Sequence, residues 1–413
     1  MMRAALAIWI LSAVICVGRG HHQIGHDTTG QDTVLDSSAN SVSLVTSANK
    51  DFAYRLYRKL VAHVASEGKN IFYSPFSVSI ALAALSVGAR GETHRQLFSS
   101  LGFNSSLLTQ TAVDQAFQML LQRANKTSNE DTREGTAVFV DHRFKPQPEF
   151  LEALKQSYFA DAFNVDFTET TDSANTINKY VEEKTNGKID KLVENLDPST
   201  VMYLISYIYY KGKWATPFDP ELTKEDMFMV DENTKVPVQM MNIEKNLNTY
   251  YDQGINTSVL HLPFNSSYSM LLLLPDNMAT LENVISPSHV TKWLKWMKSR
   301  THKVYIPKFS IKASFSLNNV LTEMGITDIF GDRADLRGIS EGQKLTVSEV
   351  VHQATLDIDE AGATAAAATG IGITLMSLRH IPVLKFNRPF MVIITERSTE
   401  NVLFMGKIIN PNI

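Results

Sequence analysis

The sequence predicts an α+β fold, and three observations carry the prediction. Apolar residues recur at helical spacing through much of the first half of the chain, whereas short β-branched and aromatic runs bounded by turn residues dominate the C-terminal third. No internal repeat and no Gly/Pro-rich linker follows Lys50, so one domain over residues 47–413 fits better than separable modules. The 413 residues, 44% hydrophobic and 20% charged, are enough for a large core without crosslinks. They exclude a disordered polymer, a collagen-like fibre and a disulfide-stapled mini-protein. A net charge of −4 gives no sign of a nucleic-acid partner.

Taken in order, the chain opens with Arg3, an apolar run from Ala4 to Val17, and then Gly18, Arg19 and Gly20. A basic start, an apolar stretch of this length and a small-residue exit predict a signal peptide over residues 1–20, and hence a secreted, extracellular protein. No later segment supplies the roughly 20 apolar residues of a membrane span. Cys16 is the only cysteine and lies inside the predicted peptide, which removes thiol nucleophiles, cysteine-ligated zinc and redox pairs from consideration. Residues 21–46 are rich in Ser, Thr, Asp and Asn, and this composition predicts a flexible tail. His21, His22 and His26 lie there without the rigid partners that fix a metal geometry.

Beyond the tail, Phe52, Leu56, Leu60 and Val64 predict a helix over 52–65. Residues 77–87 are apolar nearly all round, which marks a buried helix, with Ser74 suited to cap it and Pro75 to its first turn. Further helices are expected over 109–124, 148–160, 173–185 and 288–297. Strands are expected over 136–141, 201–210 and 270–274, with Trp214 closing the second run. In the last third the strand signals fall at 303–306, 345–358, 383–386, 390–395 and 402–408.

Four sequons, at Asn104, Asn125, Asn256 and Asn265, predict N-glycosylation on surface loops or element edges. Catalysis finds little support. Gly338-Ile339-Ser340-Glu341-Gly342 matches the pattern of a hydrolase nucleophile elbow, but a polar loop precedes it where an elbow needs a buried strand. Gly370 and Gly372 lack the third glycine of a phosphate-binding loop. No His/Asp/Glu cluster has metal spacing. No catalytic residue, metal or cofactor is expected.

One segment contradicts its surroundings. After Glu360 and Gly362 come Ala363, Thr364, Ala365, Ala366, Ala367, Ala368 and Thr369, without one charged or bulky side chain. Composition alone leaves an Ala-rich helix or a low-complexity linker open. Against the first stand the threonines and the glycines that follow; against the second, its position some 50 residues before the end of a compact domain.

Several motifs resolve the choice. Asn70-Ile-Phe-Tyr-Ser-Pro-Phe-Ser77, Thr185-Asn-Gly-Lys-Ile-Asp190, Tyr209-Tyr-Lys-Gly-Lys-Trp214, Ile306-Pro-Lys-Phe309, Phe386-Asn-Arg-Pro-Phe390 and Phe404-Met-Gly-Lys-Ile-Ile-Asn-Pro411 occur in this order. The chain from about residue 47 to its end resembles the serpins, and within them the secreted α1-antitrypsin-like group. That resemblance implies three β-sheets, eight or nine helices and an exposed reactive-centre loop over about 360–380. It also implies a suicide inhibitor: a serine protease cleaves the loop, forms a covalent acyl complex, and is trapped when the loop inserts into the main sheet. Small side chains from Ala363 to Thr369 suit that insertion, because they pass between strands without added volume.

By resemblance, Glu360 starts the hinge and Gly362 lets it bend, and the usual loop length places the reactive bond at Met376–Ser377. Leu375 and Arg379 remain alternatives. Methionine fits the apolar primary pocket of an elastase-like or chymotrypsin-like protease. Ser74, Ser77 and His352 match the polar cluster where the sheet opens, with Ser206 in place of the usual asparagine; Trp214 and an ion pair of Lys308 with Glu360 match the start of insertion. The stretch 377–385 is slightly longer than in α1-antitrypsin. Arg123 and Lys126 are too few cations for a heparin stripe, so heparin dependence is not expected; nor is a membrane partner, and the protein is expected to be a monomer. A non-inhibitory serpin carrying a small hydrophobic hormone is the alternative reading.

Overall fold

A computed structural model describes residues 29–63, 69–127, 131–361 and 380–413. Among them are nine α-helices: α1 (Thr29–His63), α2 (Pro75–Gly88), α3 (Gly91–Leu101), α4 (Gln110–Thr127), α5 (Pro148–Ser157), α6 (Thr170–Lys184), α7 (Met278–Val284), α8 (Pro287–Trp296) and α9 (Asn318–Glu323). Fourteen strands accompany them. The first eight are β1 (Ile71–Tyr73), β2 (Asp131–Asp141), β3 (Asp161–Val165), β4 (Met202–Lys211), β5 (Lys224–Met229), β6 (Lys235–Asp252), β7 (Thr257–Pro263) and β8 (Tyr268–Pro275). The rest are β9 (Lys298–Pro307), β10 (Phe309–Ser316), β11 (Glu349–Ile358), β12 (Val383–Lys385), β13 (Phe390–Glu396) and β14 (Val402–Ile408).

Ser38–Ile413 forms one compact unit; in the preceding one, Met1–Ser37, the described residues are helical. This corrects the expectation of a flexible tail for residues 29–46, because the chain is helical over Thr29–His63; residues 21–28 lie outside the described ones. The polar composition concealed a stripe. Val42, Val45, Ala48 and Phe52 recur every three or four residues and are buried in the main core, with Val45 and Phe52 fully inaccessible.

The helix α2 is buried on all sides, as its uniform apolarity predicts. Ser74 caps it by accepting from the Ser77 N–H at 3.2 Å, with Pro75 in the first turn.

Backbone pairing among the described residues produces a five-stranded sheet in the order β10-β11-β4-β2-β3 and a nine-stranded system in the order β1-β14-β13-β8-β7-β6-β9-β12, with β5 on β6. The implied third sheet is present as a portion of the larger system. The 18-residue β6 pairs with β5 near its start and β7 near its end, so the two portions share it. In the five-stranded sheet β4 is covered on both faces. Leu204, Ile208 and Tyr210 join the main core, while Tyr203, Ile205 and Tyr207 pack in a second cluster with Ile177 and Val181 of α6. A strand buried on both faces reads as a continuous apolar run, which is why β4 was legible and the half-exposed β6 was not.

Gly406 marks the tightest crossing in the larger system. It pairs with Phe72 of β1, and a Cβ there would overlap Ile71 O and sit 2.9 Å from Phe72 Cα. Backbone atoms cannot swing aside, so Gly406→Ala is expected to lower stability by about 1–3 kcal/mol in urea unfolding. Gly331→Ala, where a Cβ meets nothing within 4 Å, serves as control and is expected to stay within about 0.5 kcal/mol.

Candidate functional site

In the five-stranded sheet, β4 and β11 are neighbours that run parallel, in register from Tyr203↔Glu349 to Lys211↔Asp357. Four of the sequence-predicted residues meet beneath this pair. His352 of β11 stands opposite Ser206 of β4, and its ring is completely buried. The Ser74 backbone N–H donates to His352 Nε2 at 2.9 Å, so Nε2 carries no hydrogen. The ring hydrogen of the neutral imidazole is then on Nδ1, which donates to Ser206 Oγ at 3.0 Å. Burial pushes the His352 pKa down to about 3, against a smaller opposing effect of Ser206. Protonation would also set an Nε2–H against the Ser74 N–H. The imidazole is a neutral bracket joining β4, β11 and the start of α2.

A member that sequence reasoning missed extends the cluster. Ser74 Oγ donates to Ser77 Oγ at 3.1 Å, and Ser77 Oγ donates to Glu134 Oε2 of β2 at 3.5 Å. Burial raises the Glu134 pKa to about 7, and the Ser77 contact only partly offsets it. Nothing local in the sequence marks Glu134, because its partner is 57 positions away.

The other end of β11 is clasped where the chain leaves the sheet. Trp214 is buried and stacked on Phe264 with ring centroids 4.6 Å apart. Its Nε1–H donates to Asp359 O at 2.7 Å, and its backbone N–H donates to Ala361 O at 3.0 Å. The Phe218 N–H donates to Glu360 O at 3.2 Å. The expected Lys308–Glu360 pair is present at 3.0 Å, and Thr223 Oγ1 donates to the second Glu360 oxygen at 2.8 Å. Burial pushes the Glu360 carboxyl up, but Lys308 and Thr223 together outweigh it and hold the group below its ordinary range. Lys211 reaches Asp359 at 2.7 Å in the same way.

Gly362 to Thr369, Leu375, Met376, Ser377 and Arg379 lie outside the described residues, as do His21, His22, His26 and Cys16. The chain is described again from His380 and enters β12, which pairs parallel with β9. On the face of β11 opposite His352, Gln353 and Thr355 are buried, and neither the Gln353 amide nor Thr355 Oγ1 has a hydrogen-bond partner among the described residues. All four sequon asparagines are exposed. Ser340 is buried in a loop with no strand leading into it, so Gly338–Gly342 lacks the setting of a nucleophile elbow. Asp141, His142 and Asp166 bring three possible ligand atoms together, but Asp141 is already occupied by Arg143 and by the Phe167 N–H.

Comparison with known proteins places this geometry in context. The family model described as serpin (serine protease inhibitor) matches residues 47–411. Serpin A3-6 of Bos taurus is 39% identical over 411 residues, covering 98% of this chain and 97% of its own. The crystal structure of human thyroxine-binding globulin complexed with thyroxine superposes with a TM-score of 0.84 at 34% identity, over 90% of this chain and 100% of that one. Human glycosylated kallistatin does so with a TM-score of 0.83 at 36% identity, over 90% and 99%.

The two perturbed groups bias stability in opposite directions. Unfolded His352 takes up a proton between pH 6.5 and 3 that the folded ring refuses, so its contribution is complete above pH 6.5 and declines on acidification, by roughly 2 kcal/mol at pH 5. Folded Glu134 holds a proton between pH 4.5 and 7 that the unfolded chain releases, so its contribution is present below pH 4.5 and fades as pH rises through 7. Glu134→Gln is therefore expected to unmask a fall in urea midpoint from pH 6.5 to 4. Adding His352→Gln should flatten it, and a slope that survives in the double variant would acquit His352.

Proposed function

The chain belongs to the serpin family, and from that premise we propose that it is a secreted suicide-substrate inhibitor of serine proteases. In this reading it traps the acyl-enzyme by inserting its cleaved loop between β4 and β11. The observation that carries the proposal is the parallel pairing of those two strands, with the chain leaving β11 at its end. A segment that continues from β11 and folds back between them runs antiparallel to both. One parallel ladder is exchanged for two antiparallel ones, the more stable pairing per residue.

Length and polarity support the same reading. From Ala361 to Met376 a freed arm has 16 residues, about 50 Å when extended, against roughly 30 Å for the paired length of β4 and β11. The polar groups of Gln353 and Thr355, unpaired among the described residues, each leave a cost of about 1–3 kcal/mol in the closed sheet, as expected of a native state held by a barrier above a lower one.

In the proposed reaction the protease serine Oγ attacks the carbonyl carbon of Met376. The bond to the Ser377 nitrogen breaks, that nitrogen leaves protonated, and an ester joins the two proteins. The nucleophile belongs to the protease, in keeping with a family of inhibitors rather than enzymes. Glu360 and Gly362 act as hinge, and Ala363, Ala365, Ala367 and Thr369 share one face of the entering strand. An apolar primary residue favours elastase-like or chymotrypsin-like targets, without heparin. Residues 1–20 would direct secretion; no described helix is long and apolar enough to cross a membrane.

A second reading, a carrier of a small hydrophobic hormone, draws on the thyroxine complex of thyroxine-binding globulin. A denaturing gel after mixing with elastase separates the two. Inhibition is expected to yield a band at the summed masses and a released peptide beginning at Ser377, whereas clean cleavage without that band sinks the proposal. Ala363→Arg is expected to convert inhibitor into substrate by forcing an unpaired charge into the sheet, with complex yield falling at least tenfold. Undiminished complex formation would refute insertion.

A further inference from the structure

Away from β4 and β11, the β13–β14 turn, the last turns of α4, the start of α2 and the entry to β8 line a partly open cavity of about 190 Å³. Phe76, Leu120 and Leu403 supply apolar walls and are buried members of the main core. The turn is held from within. Glu396 Oε2 accepts from the backbone N–H and hydroxyl groups of Ser398 and Thr399 at 2.7–3.0 Å. It is also tied to its neighbour, because the Arg397 N–H donates to Ser267 O at 2.8 Å. Such a cavity is formed before anything enters it, which removes most of the ordering cost of binding.

Among the described residues, the lining holds a buried polar atom with no partner. Asn401 is only 8% exposed. Its backbone is satisfied, the N–H donating to Thr399 Oγ1 at 3.2 Å and the carbonyl accepting from the Glu396 N–H at 2.9 Å. Its side-chain Oδ1 is buried without a hydrogen-bond partner among the described residues. A buried acceptor without a donor is a standing penalty, relieved by any molecule that brings one.

We propose that this cavity binds a small cyclic molecule, aromatic or alicyclic, that carries one hydrogen-bond donor. The ring packs against Phe76, Leu120 and Leu403, and its O–H or N–H is donated to Asn401 Oδ1. Size sets the limit. An apolar cavity of about 150 Å³ accommodates benzene, so this one takes a single ring with one or two substituents. Glu396 Oε2 is committed to the turn, and the buried Asn401 Oδ1 is the acceptor that selects for a donor. No hinge residue and no member of the Ser74–Ser77–His352 cluster lines the cavity, so its occupancy and protease inhibition are separable.

The test uses the full-length secreted protein and three probes: phenol, toluene of nearly the same shape without a donor, and benzoate. Saturation-transfer NMR titrations are expected to give phenol at least fivefold tighter than toluene. Asn401→Leu should bring the two within twofold, Asn401→Asp should retain the preference, and Ala124→Trp should abolish binding of both by filling the cavity mouth, with urea midpoints confirming that each variant folds. Equal affinity of phenol and toluene for the parent protein would overturn the proposal, since Oδ1 would then select nothing. So would tighter binding of benzoate, which would point to Arg123 at the rim, or the absence of saturable binding by phenol.

Discussion

Two parallel strands, β4 and β11, lie side by side in a sheet whose other contacts along their lengths are antiparallel, and the rest of the molecule is arranged around that seam. β2 and β10 flank the pair antiparallel, so each strand is satisfied on its outer edge. At this seam a further antiparallel strand would improve both neighbours at once. Both strands are nonetheless buried along almost their whole length, which keeps water from competing for their backbone groups while the sheet is closed.

Besides the backbone ladder, a local polar cluster bridges the seam. His352 is neutral because it is buried, and because it is neutral its Nε2 can accept from Ser74 while Nδ1 donates to Ser206. One ring thereby links two strands and the N-terminus of α2. Serine at 206 reaches the imidazole with a single oxygen, so the bracket rests on one hydrogen bond to β4. Glu134 adds a carboxyl to the same chain through Ser77, and its preference for the protonated form softens that end of the cluster near neutrality. In the proposed mechanism, the strands part at this cluster without exposing a charge, whereas at the far end Tyr209 donates to Asp357 at 2.9 Å and Lys211 pairs with Asp359.

Legibility followed burial. Elements covered on all sides, such as α2, β4 and β14, announced themselves through unbroken apolar runs, and the structure moves their ends by only a few residues. The helix expected over 52–65 is the C-terminal part of α1, whereas its N-terminal part escaped because its apolar stripe lies in an otherwise polar stretch. β6 escaped because its buried positions are scattered among exposed ones. At the site, Ser206 and His352 are 146 positions apart, and no periodicity links them; they came from motif resemblance, not from physics. Glu134 belongs to no such motif, so neither route found it. Side chains left without a partner among the described residues, such as Gln353, leave no trace in sequence, since an unmade hydrogen bond is a property of packing.

In the proposed mechanism, the clasp at the end of β11 accounts for where the small-residue stretch begins. Trp214 and Phe218 hold the carbonyls of Asp359, Glu360 and Ala361, not their side chains, so any residue types could be held there by the backbone alone. That freedom lets Glu360 carry a carboxylate toward Lys308 and Thr223 at the edge of the fold. One residue later the constraint reverses. A strand entering between β4 and β11 would place its side chains into layers already filled by core residues such as Ile205, Ile208 and Ala354, where each added methylene strains the packing. On the proposed mechanism, the change from charged to featureless sequence between Glu360 and Ala363 falls where backbone tethering ends and side-chain volume begins to count.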